Sequence, residues 1–204
     1  MFTIGITGGT GSGKTTALNV LKGLGALVLD CDAIYHELLL NDDRLKDELN
    51  KRFADVLVDG VIDRKRLGEI VFRDPQALRD LNVITHQFVG LEIKSRIDKW
   101  QEQGGTVVAI DAIALIESGR SETCDVVVGV TAPKEIRIKR IMARDNITEE
   151  EAKMRINAQQ PDIFYRANCG YMIEGNFDTA EEFQEACTKF FKYILTKYHD
   201  GGKM

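Results

Sequence analysis

Short apolar runs alternate with helical periodicities along this chain, and that alternation sets the first expectation of its fold. Five runs read as buried strands: Phe2–Thr7, Ala26–Asp30, Thr106–Asp111, Asp125–Thr131 and, more weakly patterned, Tyr171–Ile173. The Val-Val-Ala-Ile of the third and the Val-Val-Val-Gly-Val of the fourth are continuous rather than alternating, the pattern of strands covered on both faces of a parallel sheet. Helical patterns separate the runs. The first spans Lys14–Lys22, with Gly23 and Gly25 as its stop signals. Strand followed by helix predicts an α/β fold: a five-stranded parallel sheet flanked by helices, with right-handed crossovers.

Two stretches are longer than a simple crossover. Between Asp32 and Gly104 the chain is mostly helical in pattern, with candidate helices at Arg44–Phe53, Arg64–Phe72, Pro75–Ile84 and Phe88–Gln101. That is too long for a loop and too periodic for disorder, so a helical insertion over 33–103 is expected beside the sheet, as a wall for a substrate. The stretch Pro133–Ala167 predicts a helix ending near Arg144 and another opening at Thr148, where Thr148-Glu-Glu-Glu151 is a capping-box pattern. An amphipathic helix over Ala180–Tyr198 is expected to pack back on the sheet, and Gly201-Gly-Lys-Met204 to fray. One domain results, with a core of 1–32, 104–136 and 168–204, the insertion, and a separate segment over 137–167.

Composition narrows the classes of function. The 204 residues carry 27 Lys and Arg against 32 Asp and Glu, a formal charge of −5, which argues against a general duplex binder but allows a local basic patch for a small anion. No apolar run has the roughly 18–20 residues of a membrane helix. The opening residues lack a basic n-region, so no signal peptide is expected. Cys31, Cys124, Cys169 and Cys187 form no Cys-x-x-Cys pair, which leaves neither zinc spacing nor a disulfide framework and predicts reduced thiols in the cytoplasm. His36, His86 and His199 share no metal-like spacing.

The strongest chemical signal follows the first strand. Gly8-Gly-Thr-Gly-Ser-Gly13-Lys14-Thr15 fits Gly-x-x-x-x-Gly-Lys-[Ser/Thr] between an apolar strand and a helix. Such a loop gathers main-chain amides at a helix N-terminus into an anion nest. Gly11, Ser12, Gly13, Lys14, Thr15 and Thr16 are the candidate triphosphate ligands, with Lys14 at the β and γ phosphates and Thr15 holding Mg²⁺. The dinucleotide fingerprint Gly-x-Gly-x-x-Gly fails, because the sixth position counted from Gly9 or Gly11 is Lys14 or Thr16.

Carboxylates cluster where strands end. In an open parallel sheet the ligand crevice lies at the carboxyl ends of the strands, which should gather Asp30, Asp32, Asp111 and Glu117 near the loop. Phosphoryl transfer to a hydroxyl needs a carboxylate to orient the acceptor and take its proton, and others for Mg²⁺ or its waters. Asp32 fits the first role and Asp111 the second. The alternative for Asp32 is to cap a helix starting at Ala33, while Asp30 could face the core side of the turn. Arg137, Arg140 and Arg144 recur at helical spacing on one face, followed by Lys153 and Arg155. Such a basic face is either solvated or a lid that closes on a nucleotide and neutralises phosphoryl charge. No Asn-Lys-x-Asp or convincing Asp-x-x-Gly element of a nucleotide switch is present.

These segments resemble the dephospho-CoA kinase family. Gly5-Ile-Thr-Gly-Gly-Thr-Gly-Ser-Gly-Lys-Thr15 is similar to its first strand and phosphate loop, and Leu29-Asp-Cys-Asp-Ala-Ile34 to its Asp-x-Asp segment. Ile62–Phe72 and Leu81–His86 resemble its acceptor-side helices, Asp111–Glu117 its third-strand end, and Arg140, Arg144, Arg155 and Ala158-Gln159 its lid. Four places depart from the family pattern: Gln87, Ile113-Ala-Leu115, Arg137 and Ala167-Asn-Cys-Gly-Tyr171. The resemblance implies a P-loop kinase fold with a helical acceptor-binding insertion and a basic lid. It implies ATP-dependent phosphorylation of the ribose 3′-hydroxyl of dephospho-CoA, with Mg²⁺. It further implies Asp32 as base beside Lys14 and Arg140, Arg144 on the nucleotide, and Arg64, His86, Asp111 and Glu117 near the acceptor. ATP and dephospho-CoA are the expected partners of a monomer or small homo-oligomer, without nucleic acid or membrane. The alternatives are a P-loop kinase for a nucleoside or nucleoside monophosphate, and a non-catalytic ATP-binding module.

Overall fold

A computed structural model describes residues 1–177 and 179–199, apart from the side chain of His199; the expected fraying at Gly201–Met204 lies outside them. Five strands form one parallel sheet: β1 (Phe2–Thr7), β2 (Leu27–Asp30), β5 (Val107–Asp111), β6 (Val126–Thr131) and β7 (Tyr171–Glu174), in the order β2-β5-β1-β6-β7. All six residues of β1 are buried, Thr3 and Thr7 included, as expected of a central strand covered on both faces. The chain leaves β1 toward one edge and later returns past it to β6, so the turn after β1 stands at the topological switch point.

The chain divides into two compact units, one of residues 1–29 and 100–204, the other Asp30–Lys99. In the first, α1 (Lys14–Gly23) buries Ala17, Leu18, Val20 and Leu21. It ends as its glycines suggest: Gly25 takes φ 89° and its N–H bonds the Lys22 carbonyl at 3.1 Å. The last helix, α9 (Ala180–His199), sends Phe183, Cys187, Phe191 and Ile194 into the same apolar cluster as β1, β6 and α1. Their spacing of four, four and three residues is one helical face. The basic segment folds as α6 (Lys134–Asp145), α7 (Glu149–Asn157) and α8 (Asp162–Asn168). Both halves of the Thr148–Glu151 capping box form, and Asn146 at φ 52° ends α6.

The second unit holds α2 (Cys31–Asn41), α3 (Asp43–Arg52), a short antiparallel hairpin of β3 (Leu57–Val58) and β4 (Val61–Ile62), α4 (Arg64–Val71) and most of α5 (Pro75–Glu102). Aspartates Asp30, Asp42 and Asp63 accept main-chain N–H bonds at the starts of α2, α3 and α4. Two expectations change here. The two helices read over Pro75–Ile84 and Phe88–Gln101 are one 28-residue helix. The polar interruption Thr85-His-Gln87 contains no Gly or Pro, and the Thr85 hydroxyl donates back to the Leu81 carbonyl at 2.8 Å, so nothing breaks the ladder. The hairpin was not anticipated, although Asp59-Gly60, at φ 49° and 78°, is a two-residue turn flanked by apolar positions.

Candidate active site

Between the end of β1 and the start of α1 the loop 8–13 lies over the carboxyl ends of the central strands. Gly13 takes φ 106°, and a Cβ there would come within 2.5 Å of the Phe183 ring, so only glycine fits. The Thr16 and Ala17 amides return to the Gly13 carbonyl at 3.0 and 3.3 Å and close the first turn of α1. Lys14 folds back over the loop, its Nζ donating to the Gly8 carbonyl at 2.7 Å and to Gly9 at 3.4 Å. Thr15 is exposed and Thr16 half-buried. The Ser12 hydroxyl is buried and has no hydrogen-bond partner among the described residues.

Asp111, the last residue of β5, pairs in register with Ile6. The Ala112 amide bonds the Ile6 carbonyl at 3.4 Å and the Thr7 hydroxyl donates to the Ile113 carbonyl at 3.2 Å. Strand pairing therefore sets Asp111 beside the end of β1 that launches the loop. Glu117 is exposed in the turns after β5. It lies near Tyr165, whose phenol holds its proton more tightly than usual, first through burial and then through the Glu117 charge.

The arginine face of α6 meets the loop directly. Arg140 donates to the Gly11 carbonyl at 3.3 Å and to the Gly175 carbonyl at 3.1 Å. Arg144 reaches the Thr10 hydroxyl at 3.3 Å while its Nε holds Asp145 at 2.7 Å. Arg155 joins the same carboxylate, and the Arg144 bond, then the two positive charges, keep Asp145 below the usual carboxylate range. Arg137 departs from the expectation of a solvated or closing face. It is 4% exposed and bonds the Thr10 carbonyl, Asp162 and Gln159, because the closely approaching loop backbone covers its guanidinium. The parts of Gln159, Asp162 and Gly175 were missed. Of these only Gln159 carried a signal, in the resemblance to the lid.

In the second unit the capping role falls to Asp30 rather than Asp32. Asp30 Oδ1 accepts from the Asp32 and Ala33 amides, both at 2.9 Å, and Asp30 is exposed rather than turned to the core. The helix starts two residues earlier than read, at Cys31, which moves the cap position to the strand's last residue. Asp32 is exposed in the first turn of α2. Arg64 is exposed at the first position of α4, and its charge partly offsets the burial that raises the Tyr35 phenol. His86 is exposed on α5.

The donors suit a hard divalent cation. Thr15 and Asp111 offer oxygen, and Mg²⁺ carried by a nucleotide needs only one or two protein oxygens because phosphates and water complete its octahedron. The described residues contain no cluster of three metal-ligating side chains, which such a shared site does not require. No helix among them is long and apolar enough to cross a membrane, and no disulfide joins the cysteines.

A glycine nest at the switch point of a five-stranded sheet, a lysine folded over it and arginines bonded to its carbonyls define a P-loop domain of the kinase class. A model of the dephospho-CoA kinase family matches residues 2–181. The chain is 39% identical to the dephospho-CoA kinase of Dehalococcoides mccartyi over 161 residues, 78% of this chain and 81% of that protein. With the dephospho-CoA kinase of Thermobifida fusca it shares 34% over 201 residues, 98% and 99% of the two chains. The solved dephospho-CoA kinase of Campylobacter jejuni superposes with a TM-score of 0.68 at 27% identity, covering 94% of this chain and 96% of that one. The chain belongs to the dephospho-CoA kinase family.

Proposed function

We propose that the chain transfers the γ-phosphoryl group of ATP to the 3′-hydroxyl of the dephospho-CoA ribose, giving coenzyme A and ADP. One observation carries this reading: a complete phosphate loop with Lys14 folded over it, in a chain of the dephospho-CoA kinase family. The N-terminus of α1 presents partial positive charge to the polyphosphate. Gly11, Ser12, Gly13, Thr16 and Arg144 hold the nucleotide. Thr15 directly, and Asp111 through water, would hold Mg²⁺, which when bound draws charge from the β and γ oxygens.

Asp32 orients the acceptor hydroxyl and accepts its proton as the new P–O bond forms. The bond from the γ phosphorus to the β–γ bridging oxygen breaks, and ADP leaves with the electron pair. Lys14 and Arg140 neutralise the charge shifted onto the phosphoryl oxygens. Arg64, His86, Asp111 and Glu117 are the residues assigned to the acceptor. The chain acts in the cytoplasm as a monomer or small homo-oligomer, without nucleic acid or membrane.

The test is the steady-state rate of ADP release with dephospho-CoA, nucleosides, nucleoside monophosphates and no acceptor. A kcat/KM for dephospho-CoA at least 100-fold above every other acceptor is expected. A nucleoside preferred over it would reassign the substrate, and ATP binding without ADP release from any acceptor would make the chain a non-catalytic module.

A further inference from the structure

The phosphate loop is held from outside itself by a closed ring of hydrogen bonds through both main-chain polar groups of a single residue, Thr10. Arg137 Nε donates to the Thr10 carbonyl at 2.9 Å. The Thr10 amide donates to Gln159 Oε1 at 2.7 Å, and that same oxygen accepts from Arg137 Nη2 at 3.3 Å. Arg137 Nη1 is anchored on Asp162 at 3.2 Å. The guanidinium lies so close beneath the loop that a Cβ on Gly9 would fall 2.1 Å from Nη2.

A buried cation is costly unless its donors are satisfied. Here they are satisfied by the loop backbone, Gln159 and Asp162, rather than by solvent. The loop they grip contains Gly8, Gly9, Gly11 and Gly13, and glycine loses more conformational freedom on ordering than any other residue. Ordering it before the nucleotide arrives removes that loss from the binding step.

We propose that Arg137 and Gln159 are positioning residues for ATP. Together they fix both main-chain polar groups of Thr10, its N–H and its C=O, preset the anion nest, and tie it to the chain joining α7 to α8. This rests on the phosphate loop being the ATP site, as in the proposed function, and deepens it. The effect is one of geometry rather than of charge. A lysine keeps the charge but has neither the planar fork nor a donor equivalent to Nε, so it does not rebuild the ring.

The experiment measures the ATP dissociation constant by equilibrium titration without acceptor, then KM for each substrate and kcat, for Arg137→Lys, Gln159→Leu and the double variant. Gln159 is only half-buried, so its variant remains informative if Arg137→Lys folds poorly. The expected result is a roughly 10-fold weaker ATP affinity in each single variant and no more than about twofold further loss in the double, since coupled residues are non-additive. The acceptor KM should stay within twofold. ATP affinity within twofold of the parent in both single variants, full recovery by Arg137→Lys, or multiplicative losses in the double variant would each overturn the proposal. A parent chain that binds ATP but does not phosphorylate dephospho-CoA would instead fail the proposed function and leave the ring testable by titration.

Discussion

Asp32 is the residue on which the proposed chemistry turns. With Asp30 supplying the cap of α2, the Asp32 carboxylate is not consumed by the helix start. Asp32→Asn should leave ATP affinity within about twofold while lowering kcat by ~10²–10⁴, the range for loss of a general base; rapid-quench or coupled ADP assays check this, and an unchanged kcat would move the base elsewhere. At Gly13 the demand is steric. Alanine there would be held at φ 106° against the Phe183 ring, at a cost of about 1–2 kcal/mol from the left-handed backbone alone. Calorimetry of Gly13→Ala should show a melting temperature lower by roughly 2–8 °C for a chain of this length, with weaker ATP binding. The glycine and the lysine were legible because the loop motif fixes the type of each. The burial of Arg137 was not legible: helical spacing placed it on the same face as Arg140 and Arg144, but how near a distant loop approaches that face is a tertiary fact.

At the level of elements, sequence reading succeeded where a local signal had a mechanism. Thr148 and Glu151 were read as a capping box, and both reciprocal bonds form. Thr148→Ala should cost ~1 kcal/mol, the usual worth of an N-cap, and hydrogen exchange should show faster opening of the amides of α7 while β1 stays protected. Equal acceleration in both would mean that the cap acts on global stability only. Reading failed at α5, where polar residues on one turn looked like a break although no residue there disrupts a helix. It failed also at the β3–β4 hairpin, whose strands of two residues are too short to show a period. The start of α2 lies two residues before the one read, which moves the cap from Asp32, the alternative read there, to Asp30.

Across the whole molecule, the parallel sheet followed from its unbroken apolar strands, whereas the order β2-β5-β1-β6-β7 depends on pairings between distant segments that no local pattern encodes. Burial across the first unit has a chemical consequence. It pushes the thiols of Cys124, Cys169 and Cys187 up to about 11 each. At pH 8 these thiols stay protonated in the fold, and only a thiolate reacts readily. Alkylation followed by mass spectrometry should therefore modify all three slowly in the native protein and quickly in denaturant; equal rates would contradict their burial. The same shift makes stability pH-dependent. Groups whose folded pKa is raised contribute fully below the unfolded value near 9, and that contribution is lost as pH rises toward 11, so the melting temperature should fall across that window.

The most direct test of the whole account is the identity of the product formed from ATP and dephospho-CoA, read by mass and by phosphorus NMR. The account predicts one added phosphoryl group on the ribose 3′-oxygen and one ADP for each molecule made. ADP accompanied by inorganic phosphate and unmodified dephospho-CoA would contradict it.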